Sequence, residues 1–279
     1  MGVFKKAGLI SLGMVTMFSF SQGALASTET KSPLTEVSTE EGNTIGIGAP
    51  EINSFSAKSI GLKSRVSNFQ HKQTIDDNRI KQSIFINPSQ TGTTIDVPFD
   101  FENGEYIILS QDEEGNSNTG NVYNKDHESI GIISTQVADN VEKVSINTEM
   151  TDTDHLEINV QSDELNEPTE IIVTLAATYY STYFSDFSWI TRDGVKSLSL
   201  APTSYLRDAP GFELSVRMAD AWNKLYAVHS SSSNWYNTGG MKDQFDCHAT
   251  YARTKTRWNL EPSRPNVSYA ETVAKACNP

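Results

Sequence analysis

The 279-residue chain predicts two domains, an all-β antiparallel sandwich followed by a small disulfide-stapled α+β domain. Three observations lead there. Short runs of alternating apolar residues, separated by turn residues, fill positions 82–178. All four tryptophans (Trp189, Trp222, Trp235, Trp258) and both cysteines (Cys247, Cys277) lie in the C-terminal part. Charge divides the chain in the same place: Ser27 to Tyr180 holds nine Lys and Arg against 26 Asp and Glu, whereas Ser181 to Pro279 holds eleven against nine.

The chain opens with the cationic "MGVFKK", the apolar "AGLISLGMVTMFSF" and then "SQGALAS", whose Ala24-Leu25-Ala26 has the small residues of a secretory cleavage site. Residues 1–26 are therefore expected to be a signal peptide, with a mature chain beginning near Ser27. No later apolar run approaches the roughly 20 residues that cross a bilayer, and no cysteine in the signal offers a lipid attachment point. The expectation is a secreted, extracellular protein with no transmembrane segment in the mature chain. Its acidity argues against nucleic acid as a partner.

Residues 27–81 are rich in Ser, Thr, Glu and Gly and read as a flexible acidic leader or spacer. From 82 to 178 comes the β-sandwich module, with runs such as "TTIDVPF", "EYIIL", "SIGIIS" and "HLEINVQ". In the last of these Leu156, Ile158 and Val160 take one face, and His155, Glu157 and Asn159 the other. Strands at this spacing, punctuated by "ENGE" and "DEEGNSNTGN", predict an antiparallel sandwich.

Residues 181–279 form the expected α+β effector domain. Asp193-Gly194 between two alternating runs signals a two-residue hairpin. "GFELSVRMADAWNKLYAV" brings Phe212, Val216, Ala219, Trp222 and Tyr226 to one helical face. Ser268 and Glu271 stand in capping-box spacing before a short terminal helix. Two cysteines in an oxidising compartment most economically form one disulfide, Cys247 to Cys277; the alternative, a metal held by Cys247, His248 and Cys277, offers few sulfurs and places two ligands on adjacent residues.

The segment "MKDQFDCHATYARTKTRWNLEPSRP" concentrates the chemistry. Read as a strand it changes phase, since Phe245, Cys247 and Ala249 want the inside while Arg253, Lys255 and Arg257, in the same parity, want water. A one-residue bulge near Tyr251-Ala252 would reconcile the halves. His248 and Asp246 would then share a wet face with Arg253, Lys255 and Arg257. On that face His248 would transfer protons, Asp246 would orient it, and the cations would hold an anionic group. His229, Arg192 and Arg207 are loose candidates for completing such a site. The plainer reading stands beside it: a satisfied histidine next to a structural cysteine, on the solvated face of a strand. Trp235, in a Ser/Asn/Gly loop, is the tryptophan placed to touch a ligand. No Gly-x-Ser-x-Gly, His-Glu-x-x-His or P-loop is present, and neither a metal nor another cofactor is expected.

At "YFSDFSWI", "MKDQFDCH", "TRWNLEPSRP" and the terminal "ACNP", the sequence resembles a family of exported Gram-positive bacterial proteins, domain of unknown function 2599, over Tyr183 to Pro279. The β-rich half resembles the accessory modules of Bacillus-like secreted proteins. The resemblance implies export and an independent C-terminal domain, and it supplies neither a reaction nor site residues. Two functions follow as expectations. One is binding of an anionic cell-envelope polymer or another protein by the C-terminal domain. The other is a secreted hydrolase, an antibacterial effector, acting on an anionic or phosphorylated envelope substrate by His248/Asp246 acid–base chemistry.

Overall fold

In a computed structural model the described residues are 17–18, 34–39, 42, 44–55, 63–65, 69–76, 78–86, 93–138, 144–162 and 168–279. Most of the expected signal peptide lies outside them. Antiparallel β-sheet dominates. One sheet orders β1 (Met17–Phe18), β6 (Gln70–Asp76), β7 (Arg79–Ile86), β14 (Thr169–Ala177), β11 (Ser129–Val137), β10 (Thr119–Tyr123) and β9 (Tyr106–Ser110). A second orders β12 (Val144–Asp152), β13 (His155–Ser162), β8 (Thr93–Asp100), β3 (Thr44–Ile47) and β2 (Thr35–Ser38), with β4 (Glu51–Phe55) on β8 and β5 (Lys63–Arg65) on β4.

The alternation that predicted these strands is the alternation of burial. Leu156, Ile158 and Val160 are buried, and Ile158 pairs across the ladder with Ile95. Ile84, Ile133 and Val173 of the first sheet join Ile45, Ile95 and Ile158 of the second in one apolar cluster. A glycine permits part of this contact. A Cβ on Gly131 of β11 would lie 3.1 Å from Ile45 Cδ1 and 2.7 Å from the Ala176 carbonyl, so the ladder and the facing isoleucine need that space.

The segment expected to be a spacer is different. It supplies β2 to β6, and Val37, Ile45, Ile47 and Ile52 sit in the core. Its apolar residues are few, but in "TIGI" and "EIN" they fall at alternate positions and suffice for short strands beside β8.

From residue 180 a third, three-stranded sheet of β15 (Phe184–Arg192), β16 (Val195–Pro202) and β17 (Trp258–Leu260) packs with α1 (Tyr180–Tyr183), α2 (Ser204–Arg207), α3 (Glu213–His229), α4 (Thr238–Tyr251) and α5 (Tyr269–Ala274). Tyr183, Phe184, Leu225, Phe245, Trp258 and Leu260 form part of its own apolar cluster. Asp193 and Gly194 adopt φ of 52° and 80°, the left-handed pair that a two-residue hairpin requires. Ser268 caps α5 by accepting from the Glu271 amide.

Helix α3 is present as expected, with a rotated inner face. It buries Val216, Asp220, Ala221, Leu225 and His229, and leaves Ala219 and Tyr226 exposed. Two polar residues occupy positions that an apolar count assigns to water. Through this face α3 packs on β10 and β11.

The chemistry-bearing segment is a helix, which corrects the bent-strand expectation. The buried set of α4 is Gly240, Met241, Gln244, Phe245, Cys247, His248 and Ala249, a helical stripe. Because Gln244 and His248 are polar, its apolar members alone mimic a period of two. Asn237 starts the helix with φ of 56°; its side chain accepts from the Gly240 amide and donates to the carbonyls of Pro262 and Arg264.

Candidate functional site

The residues of the family-like motifs converge on one buried network behind α4. Gln244 accepts from the Glu261 amide at 2.8 Å and returns a bond to the Glu261 carbonyl at 3.1 Å. The Asn278 amide donates to Gln244 Oε1 at 3.1 Å and to the Asn259 carbonyl at 3.0 Å. The Glu261 carboxylate, buried, accepts from Ser197 and pairs with Arg264. Cys247 and Cys277 are joined beside them, with Cα atoms 5.4 Å apart. Backbone groups of Asn259 and Glu261 thus find partners that water cannot reach.

His248 belongs to this network. It is 2% exposed, its ring stacks on Trp258 with an interplanar angle of 9°, and Nε2 donates to the Asn259 carbonyl at 3.3 Å. A carbonyl only accepts, so Nε2 carries the proton; Nδ1 has no hydrogen-bond partner among the described residues. Burial, reinforced by the charge of Lys255, lowers its pKa from 6.5 to about 4, so the ring is neutral at physiological pH.

Asp246 does not orient His248. Two residues apart on a helix they project about 200° from one another, and the Asp246 carboxylate is bound by Lys242, 2.6 Å from both oxygens. Burial raises its pKa, and Lys242 opposes the shift.

The expected cations are also dispersed. Arg253 donates to the carbonyls of Arg207 and Ala209, which anchors the end of α4 to the turn after α2. Arg257 pairs with Asp186 and reaches the Ser199 carbonyl. Lys255 is exposed. Of the loose candidates, Arg192 lies 4.0 Å from Glu261, and His229 is buried against Tyr180 and Phe187 with its pKa lowered to about 4 by burial. None of these gathers around His248 into a proton-transfer constellation.

Trp235 sits elsewhere, in an aromatic shelf. Its indole N–H donates to Thr238 Oγ1 at 3.0 Å, and its ring lies 5.8 Å from Trp222 and 5.9 Å from Tyr226. Tyr226 also borders a cleft of about 510 Å³, between the β10–β11 turn (His127, Ser129), Tyr180, and the outer turns of α3 (Asn223, Tyr226, Val228). His127 holds a left-handed φ of 64°, and its Nδ1 is 2.7 Å from the Tyr106 hydroxyl. The adjoining turn is clasped by Asn124, whose side-chain oxygen accepts from the amides of Asp126 and Glu128. Beneath the cleft Asp220 is fully buried, accepting from the Tyr183 hydroxyl and facing Thr178 and Ser129.

Reasoning from sequence missed this cleft, because its walls come from residues about 100 positions apart. The signals available were the strained turn "NKDHES" and the polar Asp220 on an otherwise apolar stripe.

Residues 184–279 match the family described as protein of unknown function DUF2599. Over 96 residues the chain is 36% identical to uncharacterized protein Rv0477 of Mycobacterium tuberculosis and uncharacterized protein Mb0487 of Mycobacterium bovis. That match covers 33% of this chain and 62% of each relative. No solved structure matches.

Proposed function

We propose that this is a secreted recognition protein that holds an anionic cell-envelope polymer without transforming it. In this reading the two large sheets form a β-sandwich module, and residues 181–279 form a distinct, disulfide-stapled α+β domain that carries the ligand. The shared apolar cluster of the sheets and the separate cluster around Trp258 support that division. The signal-like start supports export, and the balanced charge of the C-terminal part, beside so acidic a partner half, supports an anionic ligand there.

The observation that carries the reading is the occupation of the chemical residues. Proton transfer by His248 and Asp246 needs a shared exposed face, whereas His248 is buried with a low pKa and Asp246 is bound by Lys242. Recognition needs neither to move. The test is sedimentation of the intact protein with purified envelope material, followed by assay of the material for soluble fragments. Retention that weakens with salt, with no fragments released, is expected. Release of soluble fragments by the native protein, in proportion to the amount added and lost on heat denaturation, would overturn the proposal.

A further inference from the structure

We infer that the cleft between α3 and the β10–β11 turn is a saccharide subsite, taking an uncharged pyranose ring of a glycan. This deepens the recognition reading and rests on it for the biological source of the sugar; the C-terminal domain supplies Asn223 and Tyr226, and the β10–β11 turn closes the cleft.

The lining has the two ingredients that sugar binding uses. The first is a set of aromatic faces that water reaches. Tyr226, 46% exposed, stands at the cleft and leans edge-on against Trp235, while Tyr180, on the lining, packs against the exposed Phe187. A pyranose carries a face of slightly positive C–H groups, which the negative face of an aromatic ring attracts as it buries their apolar area. The second is a group of fixed polar side chains of mixed donor and acceptor character. His127 is steadied by the Tyr106 hydroxyl, and Asn223 is exposed on a helix. Hydroxyls need partners that both give and accept, held in place before the ligand arrives.

Other occupants fit less well. A phosphate-bearing ligand would meet Glu128 on the lining, and the cleft has one lysine to set against it. A cleft of about 510 Å³ is the size of a small-molecule site and matches a short oligosaccharide. The rigidity of both walls favours a preformed site, since His127 is locked by its turn and α3 is pinned from beneath by the Asp220–Tyr183 bond.

The test titrates the full chain with an uncharged trimer of N-acetylglucosamine, following tryptophan fluorescence and heat, and separately measures retention on the anionic envelope polymer. Saturable, salt-independent binding of the trimer is expected, weakened at least tenfold by Tyr226→Ala and by Asn223→Ala at unchanged melting temperature. Absence of saturable trimer binding, or identical binding by both variants, overturns the subsite. Trimer binding without polymer retention leaves the subsite standing and removes the anionic-polymer reading. Retention without trimer binding does the reverse.

Discussion

His248 shows how far a residue's neighbourhood can turn it from its usual work. Its neutral form is the one that fits between Trp258 and the Asn259 carbonyl, so protonation competes with folding. The pKa falls on folding, and the native state therefore binds fewer protons than the unfolded chain between about pH 6.5 and 4. Stability from this group is complete above 6.5 and is lost as pH falls toward 4, a difference of roughly 3 kcal/mol at most. His229 titrates in the same direction. Urea midpoints measured from pH 7.5 to 4 should fall steeply for the native protein; His248→Gln should be less stable at pH 7.5 but show a shallower fall. Equal slopes in the two proteins would contradict the assignment. Among individual residues the Cys247–Cys277 pair was legible, because two cysteines leave a single pairing. The burial of His248 was not, because its hydrogen-bond partner is the backbone carbonyl of Asn259, which carries no periodic signal.

Among the elements, α4 was the least legible and is the most informative. Its inner stripe runs through Gln244 and His248, and its apolar residues Phe245, Cys247, Ala249 and Tyr251 alternate as a strand's would. Tyr251 settles the matter physically: a strand with Phe245 inside would bury it, yet it is 65% exposed. The hairpin at Asp193-Gly194 and the β-runs of 82–178 were legible, since they depend on local turn chemistry and strict alternation. Strands β2 to β6 were hidden by a Ser/Thr/Glu-rich background. Helix α4 also depends on Asn237, which has a left-handed φ, caps the Gly240 amide and makes two side-chain bonds to the loop after β17. Asn237→Ala should cost about 2 kcal/mol from the lost cap and the strained φ, whereas Asn237→Gly, which accepts that φ, should cost visibly less. Chemical denaturation of both variants checks the ordering. Reducing the disulfide, which joins α4 to the tail over a separation of 30 residues, should lower stability by roughly 3.5 kcal/mol on loop entropy.

At the scale of the molecule, Asp220 is the residue to watch. It leaves α3 to meet Tyr183 on one side and Ser129 and Thr178 on the other, fully buried. Burial raises its pKa, with Lys224 and the surrounding hydroxyls opposing. A raised carboxyl pKa means that the native state keeps its proton to higher pH than the unfolded chain. Its contribution is therefore full below the ordinary carboxylate range and is lost as pH rises through the elevated value. Above the ordinary carboxylate range this runs against the two histidines, so the rise in stability from pH 4 to 6.5 is smaller than the histidines alone would give. Asp220→Asn should make that rise steeper, as thermal melts across pH would show; an unchanged slope would count against the buried acid.

The position of Asp220 bears on any attempt to reuse the parts. Lifted onto a foreign scaffold, the last hundred residues would carry an acid whose lid has been left behind. Water would reach it, its pKa would fall back toward the ordinary carboxylate range, and docking again would cost its desolvation. Whoever swaps these pieces must first decide what to place at that one spot.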